Sequence, residues 1–123
     1  PTIPPFLIEH DTAAAEWTDI DRAARGAQVH PLGGTVRLEV LEIGVEDVAA
    51  TSLDFLRTIG LRFRPSLAGR GARDVNVGRQ ILRLAPRRAG SSAVVIRLVA
   101  DAPGERTVDL FGCRWVLRPS GGR

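Results

Sequence analysis

The sequence predicts an α+β fold: a strand, one main helix, then further strands folding back into a curved mixed sheet with the helix on its back. Three observations carry this. Thr35 to Val45 alternates apolar residues as a strand does. Residues 48–59 hold an apolar stripe at helical spacing, bracketed by Asp47 and Gly60. The remainder breaks at turn residues into short apolar runs, the mark of hairpins.

The elements follow in order. Residues 1–34 read as an extended or loop segment, proline-rich at first, with a short apolar run from Phe6 to Ile8. Within it "DTAAAEWTDIDRAARG" has the alanines of a short helix, Thr18 and Asp21 resembling a capping box and Gly26 a stop. "QVHPLGG" reads as a loop, because His30 precedes a proline and two glycines follow. In the first strand Leu41, Ile43 and Val45 fall on one face, and Leu38, Val40, Glu42 and Gly44 on the other. Asp47 is a good N-cap, Gly60 a good C-terminal stop, and Ala49, Leu53, Leu56 and Ile59 make the predicted stripe of the helix between them. "LRFRPSL" reads as a short strand broken by Pro65, "AGRGAR" as a loop, and "DVNVGRQILRLAP" as a hairpin turning at Gly78. "SSAVVIRLVAD" is a further strand, "APGE" a turn, and "RTVDLFGCRWVLRP" a final hairpin with a tight Phe111–Gly112 connection. There Cys113, Trp115 and Leu117 point one way and Arg114, Val116 and Arg118 the other. The organised region is thus residues 35–118, with 119–123 a frayed tail.

Composition narrows the function classes. The 123 residues suit one domain, and 44% apolar content allows a packed core. No run nears the roughly 20 apolar residues of a membrane helix. Opening on Pro1 with no Met anywhere, the chain reads as a processed product or a piece of a longer one. The single Cys113 excludes an intrachain disulfide and a cysteine-rich zinc site, so a reducing, cytoplasmic setting is expected. All 17 basic side chains are Arg, which removes lysine Schiff-base chemistry and a phosphate-loop lysine. Residues 1–60 carry ten acids and four Arg, net −6, and residues 61–123 four acids and thirteen Arg, net +9, for +3 overall. The Arg residues are dispersed singly through apolar strands and aromatics are only 5%, so nucleic acid is disfavoured as a partner.

At this point the order of motifs is suggestive. "EVLEIGVEDVAATSLDFLRTIGLRF" resembles the opening of a βαβββ module of the vicinal oxygen chelate superfamily: a strand ending in Val-x-Asp, here "VED", a helix, and the step "IGLRF" into the next strand. "PPFLIEHD", "HPLGG" and "RTVDLFGCRWVLRP" resemble the second half of its glyoxalase-like domain family. The resemblance spans nearly the whole chain, and the order and spacing of the motifs carry it. It implies a C-terminal βαβββ module with an extra C-terminal hairpin. In the family two modules face each other across a cupped cavity, so the other would be absent, on another chain, or replaced by a second copy. A lone module would expose the inner face of its sheet, so a homodimer or a second glyoxalase-like module is the expected partner.

The resemblance also bears on metal. Metal-binding members take ligands from the first and fourth strands, and those positions fall on Val40 and near Arg83. Valine cannot coordinate and arginine stays cationic, so no metal bound by this module and no cofactor are expected. Glu42 shares Val40's face and would line the cavity, with Arg83 and Arg97 as further lining residues. Glu42 and Arg83 can form a bidentate pair, hold a polar or anionic ligand between them, or make an ion bridge with no ligand. Trp115 is a further candidate lining residue, although packing suits it equally, and His30 recurs in the family's "HP" loop while also suiting a structural turn. His10 between Glu9 and Asp11 has metal-type neighbours, but alternation along an extended chain points them apart. Cys113 fits a buried inert thiol, "GRGAR" lacks the strand–loop–helix setting of a phosphate loop, and Ser91–Ser92 lack a nearby base. The reading reached from sequence is a glyoxalase-like module forming part of a small-molecule cavity without its own metal. The alternatives are a fragment of a lyase- or isomerase-type enzyme whose catalytic residues lie on a missing first module, and a non-catalytic ligand-sequestering protein.

Overall fold

Asp47 and Gly60 delimit the one helix among the described residues, as their chemistry requires. Asp47 is extended and its carboxylate accepts from the Ala50 N–H at 2.9 Å, while Gly60 is left-handed (φ 73°) and its N–H donates to the Leu56 carbonyl at 3.0 Å. A computed structural model describes residues 36–101 and 103–121. The predicted short helix before Gly26, the histidines and Trp17 lie outside the described residues.

The elements are β1 (Val36–Val45), α1 (Val48–Ile59), β2 (Arg64–Pro65), β3 (Arg73–Val77), β4 (Gln80–Pro86), β5 (Val94–Ala100), β6 (Arg106–Leu110) and β7 (Cys113–Pro119). They form one seven-stranded mixed, curved sheet in the order β2-β3-β4-β1-β5-β7-β6. β1 runs parallel to β4, as the helical crossover between β1 and β2 allows, and antiparallel to β5. The predicted α+β layout is therefore what forms.

The C-terminal hairpin is not an appendage. β5 runs parallel to β7, with β6 antiparallel to β7 at the edge. β1, β4 and β3 stand in the same relation. The sheet is therefore two similar halves joined along the β1–β5 seam, the second lacking, among the described residues, a helix and an outer strand. Only five residues separate β5 from β6, too few for either. The hairpin turns mark equivalent points: Gly78–Arg79 joins Val77 to Gln80, and Phe111–Gly112 joins Leu110 to Cys113.

Register decides the faces. Leu84 pairs with Ile43 and Arg73, and the Arg73 guanidinium donates to Ser52 of α1 at 3.3 Å. The Leu84 face is thus the back, under the helix, and Leu84 is fully buried. Arg83 and Glu42, one step along each strand, point to the opposite, concave face. A register shift between Leu38 and Val40 adds a correction. Leu38 pairs with Leu98 and joins the back face rather than the face of Val40, because the irregularity at Glu39 shifts the alternation by one.

The helix is also rotated from its expected stripe. Val48, Ser52, Phe55 and Ile59 turn inward and Leu56 of the expected stripe is half-buried beside them, whereas Ala49 is exposed and Leu53 is 42% exposed. Phe55 meets the buried Phe63 edge-to-face, ring centroids 5.4 Å apart. An aromatic pair buries more apolar area than the competing Leu53, and it sets the rotation.

Two variants test this packing by urea denaturation. Leu84→Ala should cost about 2–5 kcal/mol, and Leu53→Ala under about 1 kcal/mol; equal costs would contradict the observed helix rotation. Phe111 is almost fully exposed in a left-handed conformation (φ 55°) that an L side chain resists. Phe111→Asn should raise stability by about 0.5–1 kcal/mol.

Candidate functional site

The concave face carries charge rather than an apolar floor. Across one row of the sheet, cross-strand pairing places Asp74, Arg83, Glu42, Val95, Arg114 and Asp109 side by side. Around Glu42, Arg83, Val95 and Arg97 lies a cavity of about 410 Å³. Gly44, with Ala85 beside it, keeps one end of the floor low, and the loops holding Gly69–Arg70 and Arg87–Arg88 form its rim. Both halves of the sheet contribute to it.

Arg83 lies between two carboxylates. Its Nε donates to Asp74 Oδ1 at 2.8 Å and its Nη2 to Asp74 Oδ2 at 3.1 Å, a bidentate pair. Its Nη1 is 3.6 Å from Glu42 Oε2, a looser contact. Ser66 Oγ also donates to Asp74 Oδ2, at 2.8 Å, tying the loop after β2 into the network. Burial pushes the Asp74 carboxyl up, but the hydrogen bonds from Arg83 and Ser66 outweigh it and hold the carboxyl below its usual range. The hydrogen bond to Asp74 in turn raises Arg83, against the opposing effect of burial, and both carboxylates reinforce its charge.

Two similar pairs flank the cavity. Arg114 donates through Nε and Nη2 to the two oxygens of Asp109 at 3.0 and 3.3 Å. Arg118 uses the same two nitrogens on Glu39, Nε at 2.8 Å, and the hydrogen bonding lowers the Glu39 carboxyl. Arg97 differs. Among the described residues no carboxylate lies within ion-pair reach of it, and its Nε is buried with no hydrogen-bond partner.

The structure brings together three of the sequence candidates: Glu42, Arg83 and Arg97 all line the cavity. The bidentate partner of Arg83 is Asp74 rather than Glu42, because Asp74 stands opposite it on the adjacent antiparallel strand. Trp115 does not line the cavity. It pairs with Ile96, and Ile96 with Leu41, so period-two alternation puts all three on the back face, where the indole N–H donates to the Leu110 carbonyl at 3.4 Å. His30 lies outside the described residues. Sequence reading missed Asp74 and Arg114, and it treated the loops holding Arg70 and Ser91–Ser92 as connections only, although they line the cavity.

The metal ligand positions implied by the family resemblance do not suit a cation. Val40 is a buried aliphatic residue, and Arg83 brings a positive charge already held by two carboxylates. Among the described residues, no three His, Cys, Asp or Glu side chains come together as a metal would need. Nor is any described helix long and apolar enough to cross a membrane.

No protein-family model matches the chain, and no curated protein matches it significantly. Among solved structures, it is similar to a hypothetical protein from Staphylococcus aureus, with a TM-score of 0.56 and 9% identity. The match covers 69% of this chain and 34% of that one, so the chain spans about a third of its neighbour's length. At this identity the likeness is one of fold alone.

Two measurements probe the site. A carboxyl depressed by folding adds stability above its unfolded pKa, near ~4, and loses that contribution as pH falls through the folded value. Asp74→Asn should therefore cost about 1–3 kcal/mol at neutral pH and flatten the loss of stability below pH ~4. Urea titrations at several pH values read both, and an unchanged acid limb would remove Asp74 from the network. Separately, magnesium, manganese or zinc should give no saturable rise in Tm.

Proposed function

We propose that this chain is a glyoxalase-like module of the vicinal oxygen chelate type whose concave face forms part of a cavity for a small organic molecule, with no metal of its own. The observation that carries this reading is the concave cavity of about 410 Å³ that both halves of the sheet line, within the size range of small-molecule sites. Three further features support it. The order β2-β3-β4-β1, with β1 and β4 parallel, is that of a βαβββ module. The second half repeats part of that arrangement beside it, as a family of paired modules would lead one to expect. The lining is largely charged, with Arg83, Arg97 and Arg114 beside Glu42 and Val95 among its apolar members, which suits a polar or anionic small molecule.

Among the described lining residues, none makes an acid–base or nucleophilic pair. Arg83 is committed to Asp74, and the serines at the rim have no histidine among the described lining residues. Binding is accordingly favoured over catalysis by the described residues themselves.

The reading is tested by two-dimensional NMR of the labelled protein against a library of small polar and aromatic fragments. Shift changes should cluster on Gly44, Arg83, Val95 and Arg97, and Glu42→Gln should alter them. Perturbations gathered on the back face around Trp115, or scattered without pattern, would overturn the proposal.

A further inference from the structure

We propose that Arg97 is the anchor for the carboxylate of a small organic acid, with Glu42 accepting a hydroxyl or amino group of the same molecule. This rests on the cavity being a small-molecule site.

Three guanidinium groups on the concave face are already paired, and all three in one manner. Arg83, Arg114 and Arg118 each present the edge formed by Nε and Nη2 to the two oxygens of one carboxylate. Arg97 lies in the same charged surface, and its Nε is buried without a partner. A buried donor left unpaired costs more than a hydrogen bond ordinarily contributes, and more still on a charged group. With the side chain turned so that this edge faces the cavity it lines, a ligand carboxylate would make the fourth pair of the series, with the planar two-point geometry that guanidinium favours.

The two halves of the sheet show why the described strands do not supply this partner. When the hairpin turns are aligned, so that Gln80 matches Cys113, Glu42 of the first half corresponds to Arg97 of the second. Glu42 faces Arg83, with Asp74 beyond it. Arg97 faces Val116, with Thr107 beyond it, and on its other side pairs with Val40. Neutral residues thus occupy the two positions from which a cross-strand carboxylate would reach Arg97. The first half is compensated by direct pairing, whereas Arg97 has only the more distant charge of Glu39, whose oxygens are bound to Arg118.

The surroundings select the kind of anion. Arg70, Arg87 and Arg88 at the rim favour entry of a negative molecule. Glu42, on the same face and diagonal to Arg97, disfavours a doubly charged phosphate there. Its 3.6 Å contact with Arg83 leaves it able to accept from a ligand hydroxyl or amine. A hydroxy or amino acid meets both demands.

The test follows the Arg97 Nε–H resonance by NMR at constant ionic strength, using glycolate, L-malate and glycine as carboxylate probes. Inorganic phosphate and propane-1,2-diol serve as the other arms. Carboxylates should shift the resonance saturably, and Arg97→Gln should weaken their binding at least tenfold, read from the cavity amides. Arg57→Gln, on the exposed side of the helix, should leave it unchanged. Without ligand, Arg97→Met should hold or raise Tm, because it removes an unpaired buried donor; a clear fall would make Arg97 structural and overturn the proposal. Equal carboxylate binding by Arg97→Gln would also overturn it, as would phosphate saturating below every carboxylate. If propane-1,2-diol perturbs the cavity and no carboxylate does, the carboxylate assignment fails while the small-molecule reading stands. If nothing in the probe set or the fragment library binds the concave face, both fail.

Discussion

The β1–β5 seam is the constraint on which the rest of the structure depends. β1 is the only described strand that joins the two halves, parallel to β4 on one side and antiparallel to β5 on the other. Side chains alternate with a period of two, so the register of this seam decides at once which residues lie under the helix and which line the cavity. It puts Leu41 against Ile96 on the back and Glu42 beside Val95 on the concave side. A slip of one residue along β5 would carry Arg97 to the back face. The register shift at Glu39 confines such an exchange to one end of the strand, where Leu38 goes to the back and Glu39 can meet Arg118.

The charged row gains its order from that register. Isolated pairs at a sheet surface contribute little, because solvent screens them and long side chains must be fixed. The Asp74–Arg83–Glu42 group differs in being partly buried and supplied by three adjacent strands, with Ser66 attached from a loop. Its members satisfy one another, which is what a partly buried ionic group requires if it is not to weaken the sheet. The same network fixes the position of Glu42 and so shapes the cavity. Structural and binding roles here belong to different members of one surface: Asp74 and Arg83 hold it, whereas Arg97 stands outside the pairing.

What could be read from sequence followed the range of the interaction. The helix, its caps and the two hairpins are local, and Asp47, Gly60, Gly78 and the Phe111–Gly112 turn announced them. The Asp74–Arg83 pair was also within reach, since counting outward from the Gly78–Arg79 turn places it as the fourth pair of the hairpin. Trp115 could have been assigned to the back by the same alternation that put Arg114 opposite it. The orientation of α1 was not legible in this way. Two stripes competed on one helix, and the one that turned inward carries Phe55, which meets Phe63 just beyond the Gly60 stop in a contact that helical periodicity does not encode. Nor could the contact of Glu42 with Arg83 be derived from local pattern, because it depends on a parallel pairing made across the helix and β3.

The comparison of halves gives the cavity its chemical character. A metal site uses several protein donors to hold a mobile cation, which then attracts the ligand's oxygens. Here the positions that the family resemblance assigns to donors hold Val40 and Arg83, and the concave face has guanidinium groups fixed to its strands. A fixed guanidinium provides positive charge and directed donors without coordination, and it remains charged across the physiological range. It offers no open coordination position and does not acidify a bound water as a metal can. On the proposed reading, the fold keeps the cup and the oxygen-recognising role of its floor, while the means of recognition shifts from a coordinated ion to Arg97. On that reading, a site of this kind orients and retains an acid through fixed charge and directed donors.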